Sequence, residues 1–232
     1  MGKAKNIFWI LFWVDSALNI WAVFTQNQQL IYITKPLLMP LLALSLRFNS
    51  GTFFIRARNL VLFGLIFSFA GDTLLMFADH SANFFMFGLI SFLLAHVCYI
   101  TAFLNISHLK TGLVKQIPWL ILPFVIYLFG FNYFLFDGVP SGLKMPVIIY
   151  SGVLMAMALS GLHLKGIVSN KAFQWIFVGA LLFLISDSVL AAEKFKQLVS
   201  NFGFNAGIII MATYILGQFG IARGIMMVTK DH

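Results

Sequence analysis

The sequence predicts an all-α membrane protein, a polytopic bundle of about eight transmembrane helices in one domain over residues 1–232. Two observations predict this fold class. Hydrophobic residues make up 61% of the chain and charged residues only 9%, so the folded chain could not cover itself with a water-compatible surface. The apolar residues also fall into runs of roughly 18 to 24, the length that crosses a bilayer. We therefore expect a multi-pass membrane protein without a soluble domain.

Eight apolar runs between polar breaks give the predicted spans. Their approximate limits are 7–24, 31–48, 57–78, 83–106, 118–136, 144–165, 172–195 and 204–228. The first run carries Asp15 and Asn19 and leads directly into further spans, so we interpret it as a retained helix and not a cleaved signal peptide. In the second, Pro36 and Pro40 remove backbone donors, and the freed carbonyl groups need side chains or ordered waters as partners.

The third and seventh spans each carry an aspartate within apolar sequence. Asp72 and Asp187 lie in similar settings, and a carboxylate at membrane depth costs a few kcal/mol or more unless it faces a bundle interior or cavity with a partner. Both follow the predicted start of their helix by about fifteen residues, which at ~1.5 Å per residue puts them at one level. We expect a shared site. The structural alternative is an ion pair with Lys35, near the outer end of the second span.

Polar side chains on the remaining spans could face the same cavity. His96 and Tyr99 share a face of the fourth span, Tyr150 lies near the outer end of the sixth, and Tyr214 and Gln218 share a face of the eighth. The structural alternative is that each is hydrogen-bonded to a neighbouring helix.

The distribution of basic residues predicts the orientation. Only Lys144, Lys194 and Lys196 fall on one side of an eight-span topology. The other side carries Lys3, Lys5, Arg47, Arg56, Arg58, Lys110, Lys115, Lys165, Lys171, Arg223 and Lys230. Since cytoplasmic loops are enriched in lysine and arginine, we expect both termini in the cytoplasm and the chain in the plasma (inner) membrane.

Charge and motifs narrow the function classes. We attribute the net charge of +8 to topology and to attraction by anionic lipid, not to nucleic-acid binding. The single cysteine, Cys98, allows no intrachain disulfide, and we expect neither a metal site nor a cofactor. The chain has no Gly-x-Ser-x-Gly, His-Glu-x-x-His or Walker motif, which argues against serine hydrolases, zincins and ATPases.

The sequence also contains a possible internal repeat. Shifting the chain by 115 residues superimposes Gly64 on Gly179, Asp72 on Asp187, Leu75 on Leu190 and Tyr99 on Tyr214. This predicts halves at 1–116 and 117–232, each with four spans and related as a parallel repeat. Coincidence between apolar helices is the alternative.

Four motifs resemble those of a known family, the YhhN-like lysoplasmalogenases. They are Lys35-Pro36-Leu37, Gly71-Asp72-x-x-Leu75, Ala95-His96-x-x-Tyr99 and Ser186-Asp187-x-x-Leu190-Ala191. The motifs occur in this order across the eight spans, and the resemblance covers nearly the whole chain. The resemblance implies an integral-membrane hydrolase that cleaves the vinyl ether bond of lysoplasmalogen. The products would be a fatty aldehyde and glycerophosphoethanolamine or glycerophosphocholine.

Acid–base chemistry by two carboxyl groups suits this reaction. Proton delivery to the β-carbon gives an oxocarbenium-like ion that water captures, and two carboxyl groups in a low-dielectric pocket resist simultaneous ionisation. We therefore assign Asp72 and Asp187 as catalytic. Substrate binding is assigned to Lys35, Tyr150, His96, Tyr99, Ser186 and Tyr214. The alternatives are a proton-coupled transporter of small molecules or lipids, since paired acids also form proton relays, and a structural or chaperone-like membrane protein.

Overall fold

The computed structural model describes residues 2–107 and 112–230, without the side chains of 2–6 and 82, and confirms the all-α fold. Its long helices are α1 (Gly2–Phe24), α2 (Gln28–Asn49), α3 (Ile55–Leu75), α4 (Ala82–Ser107), α6 (Leu122–Leu135), α7 (Lys144–His163), α8 (Asn170–Lys196) and α10 (Ala206–Val228). Short helices α5 (Leu113–Gln116) and α9 (Leu198–Asn201) and the 3₁₀ turns Pro118–Ile121 and Ser141–Leu143 connect them. Within these described residues, 8 helical segments are long and apolar enough to cross a membrane.

Helix starts follow ordinary capping chemistry. The Asn27 side chain accepts a hydrogen bond of 3.1 Å from the Leu30 N–H at the start of α2, and the Ser169 side chain accepts one of 3.4 Å from the Ala172 N–H at the start of α8. Such side chains satisfy backbone donors that have no partner within the helix. Helix α2 continues through Pro36 and Pro40 as one element.

Small residues let particular helices approach closely. A Cβ atom added to Gly64 of α3 would lie 2.2 Å from the Tyr99 ring of α4. One added to Gly179 of α8 would lie 2.7 Å from the Gly217 carbonyl oxygen of α10. Van der Waals contact at such sites is a main source of helix association in a bilayer. The helices of these two pairs, α3–α4 and α8–α10, pack more closely than any other pair among the described residues.

Helix α6 is attached more loosely than the other spans. Leu135 is its one buried residue, and that residue belongs to a small cluster with Val139 and Val147 that is separate from the main core. Of the α6 side chains, Phe124 and Leu128 pack against the main core but are only partly buried, so the helix leaves space between itself and the bundle. The space that it leaves contains the candidate site.

Two organisational predictions stay predictions. The Gly51 N–H donates a 3.1 Å hydrogen bond to Thr229 Oγ1, so the loop after α2 and the end of α10 lie at the same end of the bundle. The orientation of this end in the membrane stays a prediction, and Lys110, expected on the same side, lies outside the described residues. The repeat is likewise unproven, because α6 packs far less tightly than α1, its counterpart.

Candidate active site

A cavity lies between α6 and the other spans except α1. Most of its lining consists of leucine, phenylalanine and other apolar side chains, as expected for a pocket that takes a lipid. The polar lining residues are Lys35, Asp72, Tyr127, Asn132, Tyr150, Ser151, Ser186, Asp187, Ser188 and Tyr214. Both predicted carboxyl groups therefore face one cavity.

Asp72 has a cation and a hydroxyl group as partners. Its side chain, near the end of α3, is only 4% exposed. Lys35 Nζ of α2 lies 3.8 Å from Asp72 Oδ1, and the Tyr214 hydroxyl of α10 donates a hydrogen bond of 2.6 Å to Oδ2. An ammonium group and a hydrogen-bond donor both favour a charged carboxylate. These surroundings suit a group that accepts a proton.

Asp187 has different surroundings. The Tyr150 hydroxyl of α7 donates a short hydrogen bond to Asp187 Oδ2, and His96 Nε2 of α4 lies 3.8 Å from the same oxygen. In the described part of the chain, no lysine or arginine forms an ion pair with this carboxyl group. Asp187 thus lacks the compensating cation that Asp72 has.

The two carboxyl sites correspond under the predicted repeat. The offset of 115 positions that relates Asp72 to Asp187 also relates Lys35 to Tyr150. Each of these second residues contacts its own carboxyl group from the preceding long helix. Equivalent positions therefore carry a cation in one half and a neutral hydroxyl in the other. This pair accounts for the difference in charge between the two sites.

Of the remaining predicted site residues, Ser186 lines the cavity, whereas His96 and Tyr99 do not. Ser186 reaches the cavity, and its hydroxyl donates a 3.0 Å hydrogen bond to the Ile210 carbonyl. His96 and Tyr99 are fully buried and do not line the cavity. Tyr99 donates a 2.7 Å hydrogen bond to Gln218 Oε1.

His96 lies directly behind the cavity wall. Its ring packs edge-on against those of Tyr150 and Phe183, with centroids 5.4 and 4.7 Å away. Neither ring nitrogen makes a hydrogen bond within the described residues. The structure thus brings His96 close to Asp187 but not to the space that a substrate would occupy.

Two polar pairs at the cavity wall were not predicted. The Tyr127 hydroxyl donates a 2.8 Å hydrogen bond to Ser188 Oγ, and Asn132 Nδ2 donates one of 2.9 Å to Ser151 Oγ. Each pair joins α6 to another helix. Asn132 stands in the apolar run Gly130-Phe131-Asn132-Tyr133-Phe134, so the signal that identified the aspartates, a polar side chain at membrane depth, would also have identified it.

Comparisons with known proteins agree on one family. The model of the YhhN family matches residues 30–225. Lysoplasmalogenase TMEM86A of Bos taurus is 31% identical over 68% of this chain and 62% of its own length. The lysoplasmalogenase homolog of Dictyostelium discoideum is 29% identical over 70% of this chain and 61% of its own. The chain thus covers about three fifths of these relatives. No solved structure matches it significantly.

Proposed function

The chain belongs to the YhhN family, and on this premise we propose that it is a membrane hydrolase that cleaves the vinyl ether bond of lysoplasmalogen. The products are a fatty aldehyde and glycerophosphoethanolamine or glycerophosphocholine. One observation supports this most strongly: two carboxyl groups with unlike partners face the same, largely apolar cavity. Relatives named lysoplasmalogenase support the substrate class.

In the proposed reaction Asp187 is the acid. Its protonated carboxyl group gives a proton to the β-carbon of the vinyl ether, and the positive charge that develops is shared by the α-carbon and the ether oxygen. Asp187 suits this role because, among the described residues, no ammonium or guanidinium group forms an ion pair with it, whereas Lys35 lies beside Asp72. A buried carboxyl group without a cation favours its neutral form.

Asp72 is the proposed base. Lys35 keeps it charged, so it can take a proton from the water that attacks the α-carbon, which gives a hemiacetal. Asp72 then returns this proton to the departing glycerol oxygen, while Asp187 takes the proton of the hemiacetal hydroxyl. The C–O bond breaks, the aldehyde leaves, and both carboxyl groups regain their starting states.

The substrate's orientation follows from the position of the outer lysines. Lys194 and Lys196 follow Asp187 along α8 by about 11 and 14 Å at 1.5 Å per residue. Lys194 Nζ lies 5.6 Å from the ring centroid of Phe85, a cavity-lining residue. A lysolipid whose vinyl ether lies between the carboxyl groups would point its phosphate toward these lysines. Its hydrocarbon chain would lie along the apolar lining.

Aldehyde release from lysoplasmalogen by purified protein in detergent tests this function. Wild type should release aldehyde, and it should not cleave a lysophospholipid that has an ester in place of the vinyl ether. Asp72→Asn and Asp187→Asn should each lose turnover by at least ~100-fold, since each removes one acid–base partner. Folded but inactive wild-type protein would overturn the proposed function. Full activity in either variant would overturn the assignment of Asp72 and Asp187 as the acid–base pair.

Asp15→Asn is the matched control. Asp15 is also a buried carboxyl group in a membrane span, but it does not line the cavity. The same chemical change there should leave turnover close to that of wild type. The transporter alternative is not favoured by the comparisons, whose relatives are named as lysoplasmalogenases; proton flux in liposomes without aldehyde release would revive it.

A further inference from the structure

A neutral polar pair lines the cavity beside the carboxyl groups and takes no part in the proposed proton transfers. It consists of Asn132 on α6 and Ser151 on α7. Ser151 directly follows Tyr150, the hydrogen-bond donor to Asp187, so the pair lies at the level of the proposed reaction. Polar side chains at such a depth are costly unless they have a partner or a function.

The hydrogen bonds of this pair leave one acceptor largely unused. Both amide donors of Asn132 are occupied, by the Leu128 carbonyl at 2.8 Å and by Ser151 Oγ at 2.9 Å. Asn132 Oδ1 receives only a long contact of 3.3 Å from Ser151 Oγ. The Ser151 hydroxyl has a better acceptor in the Ile148 carbonyl, at 3.0 Å. A carbonyl oxygen can accept two hydrogen bonds, so Oδ1 can accept a bond from a ligand.

We propose that Asn132, oriented by Ser151, binds the free hydroxyl group on the central glycerol carbon of the substrate. This inference rests on the proposed function, because it needs the vinyl ether between the two carboxyl groups. The central hydroxyl is the polar group of a lysolipid closest to the ether oxygen. A neutral amide–hydroxyl pair complements a neutral hydroxyl, whereas the phosphate would gain more from the lysines farther out.

This contact would select lysolipids over vinyl ether lipids that also carry an acyl chain on the central carbon. A substrate that carries an acyl chain on the central carbon has no hydroxyl hydrogen to donate, so the Asn132 oxygen would lose its partner. The bulky chain would also meet the α6–α7 wall that the pair holds together. Sites built to hydrogen-bond a hydroxyl discriminate strongly against analogues that lack it.

The test compares two vinyl ether substrates that differ only in this hydroxyl: lysoplasmalogen and its 2-deoxy analogue. Wild type should prefer lysoplasmalogen by roughly tenfold or more in kcat/KM. In Asn132→Leu the preference should vanish, because only the reaction of the hydroxyl substrate slows. Ser151→Ala should reduce it partly. Ser91→Ala is the matched control, since Ser91 bonds to the Phe87 carbonyl of its own helix at 2.9 Å and does not line the cavity.

Two kinetic results would overturn the inference. One is a wild type that cleaves both substrates equally well. The other is an Asn132→Leu variant that loses the same factor on both, which would show a purely structural role.

Binding of non-cleavable analogues separates this inference from the proposed function. Saturated alkyl-ether lysolipids with and without the central hydroxyl are titrated into wild type and Asn132→Leu in detergent. Tighter binding of the hydroxyl form by wild type alone supports the inference even if no vinyl ether is cleaved. Equal binding of both forms by wild type contradicts it, whatever the enzyme does.

Discussion

At the scale of single residues, Lys35 makes the two carboxyl groups unlike. It is the charged partner of Asp72, at 3.8 Å, while the corresponding position in the second half is Tyr150. Replacing it with an uncharged residue of similar length removes the charge that, in the proposed reaction, keeps Asp72 ionised. We expect Lys35→Met to lower kcat/KM on the order of 100-fold. Lys35→Arg should retain more activity because it keeps the positive charge.

Steady-state aldehyde release measures both Lys35 variants, with thermal unfolding in detergent as a check on folding. An equal loss in Lys35→Met and Lys35→Arg would show that the ammonium geometry, and not its charge, matters. Near-normal activity in Lys35→Met would remove Lys35 from the mechanism altogether.

Tyr214 and Tyr99 form a second informative pair, since they occupy matching positions but have different partners. Tyr214 bonds to Asp72 and lines the cavity, whereas Tyr99 bonds to Gln218 in the core. Tyr214→Phe should therefore lower turnover severalfold. Tyr99→Phe should lower the free energy of unfolding by about 1–3 kcal/mol, because it leaves the buried Gln218 oxygen unpaired, and should spare turnover in the folded protein.

Kinetics and unfolding of both tyrosine variants decide this point. If Tyr99→Phe abolished turnover in fully folded protein, the polar core behind the cavity would belong to the catalytic machinery. If both variants only lost stability, the hydrogen bond to Asp72 would have no catalytic role.

The sequence identified Asp72, Asp187, Lys35 and Tyr150 because polar side chains at membrane depth need partners. The sequence could not show which neighbours each helix face would contact. His96 and Tyr99 share a helix face, but helical spacing shows only that residues point the same way, not that this way leads to a cavity. That distinction depends on the packing of α4 against its neighbours, which no local pattern encodes.

At the scale of elements, the contrast between α6 and the α8–α10 pair governs the site. Long apolar runs predicted α6 as well as α8 and α10, but they could not predict how closely each helix packs. Lipid-facing and protein-facing positions are both apolar in a membrane span. Close packing, however, requires small residues at particular positions. Gly179 has small residues opposite it on α10, whereas a Cβ atom added to Gly130 of α6 would meet nothing within 4 Å. The sequence therefore predicted the helices but not which of them would stand apart.

Glycine-to-alanine changes test this contrast with the same chemical alteration at two positions. A Cβ atom at Gly179 would lie 2.7 Å from the backbone of α10, and one at Gly152 of α7 would meet nothing within 4 Å. Gly179→Ala should therefore lower the free energy of unfolding by about 1–3 kcal/mol through overpacking. Gly152→Ala should raise it by about 0.5–1 kcal/mol, because alanine favours a helix. Equal effects in thermal unfolding would contradict the packing described for α8 and α10.

At the scale of the whole molecule, composition predicted the class and the lengths of the apolar runs predicted the number of spans, because a bilayer fixes the length and polarity of what crosses it. The assembly of the spans around a cavity was not predictable in the same way. It depends on residues far apart in sequence, such as Lys35, Asp72 and Tyr214, which three different helices bring together. The predicted repeat relates Lys35 to Tyr150, and both residues contact an aspartate of the site. The looser packing of α6, however, has no counterpart in the first half.

The charge distribution makes a prediction about the whole molecule, its orientation. The basic residues concentrate at the end that contains the loop between α2 and α3, so this end should face the cytoplasm. The cavity lies toward the opposite end, and a lysolipid would then enter from the outer leaflet. The single cysteine allows a direct measurement: in a Cys98→Ser background, Thr52→Cys and Ser141→Cys report on the two ends, since both positions are exposed and lie between long helices.

A membrane-impermeant maleimide added to intact cells should label Ser141→Cys at once and Thr52→Cys only after the membrane is opened. The reverse pattern would place the cavity toward the cytoplasmic leaflet. The acid–base assignment would survive that result, because it depends on contacts within the bundle. The source of the substrate would change, since Lys144, Lys194 and Lys196 would then face the anionic lipid surface of the cytoplasmic leaflet, and competition by anionic lipid would have to lower the apparent affinity for a lysolipid.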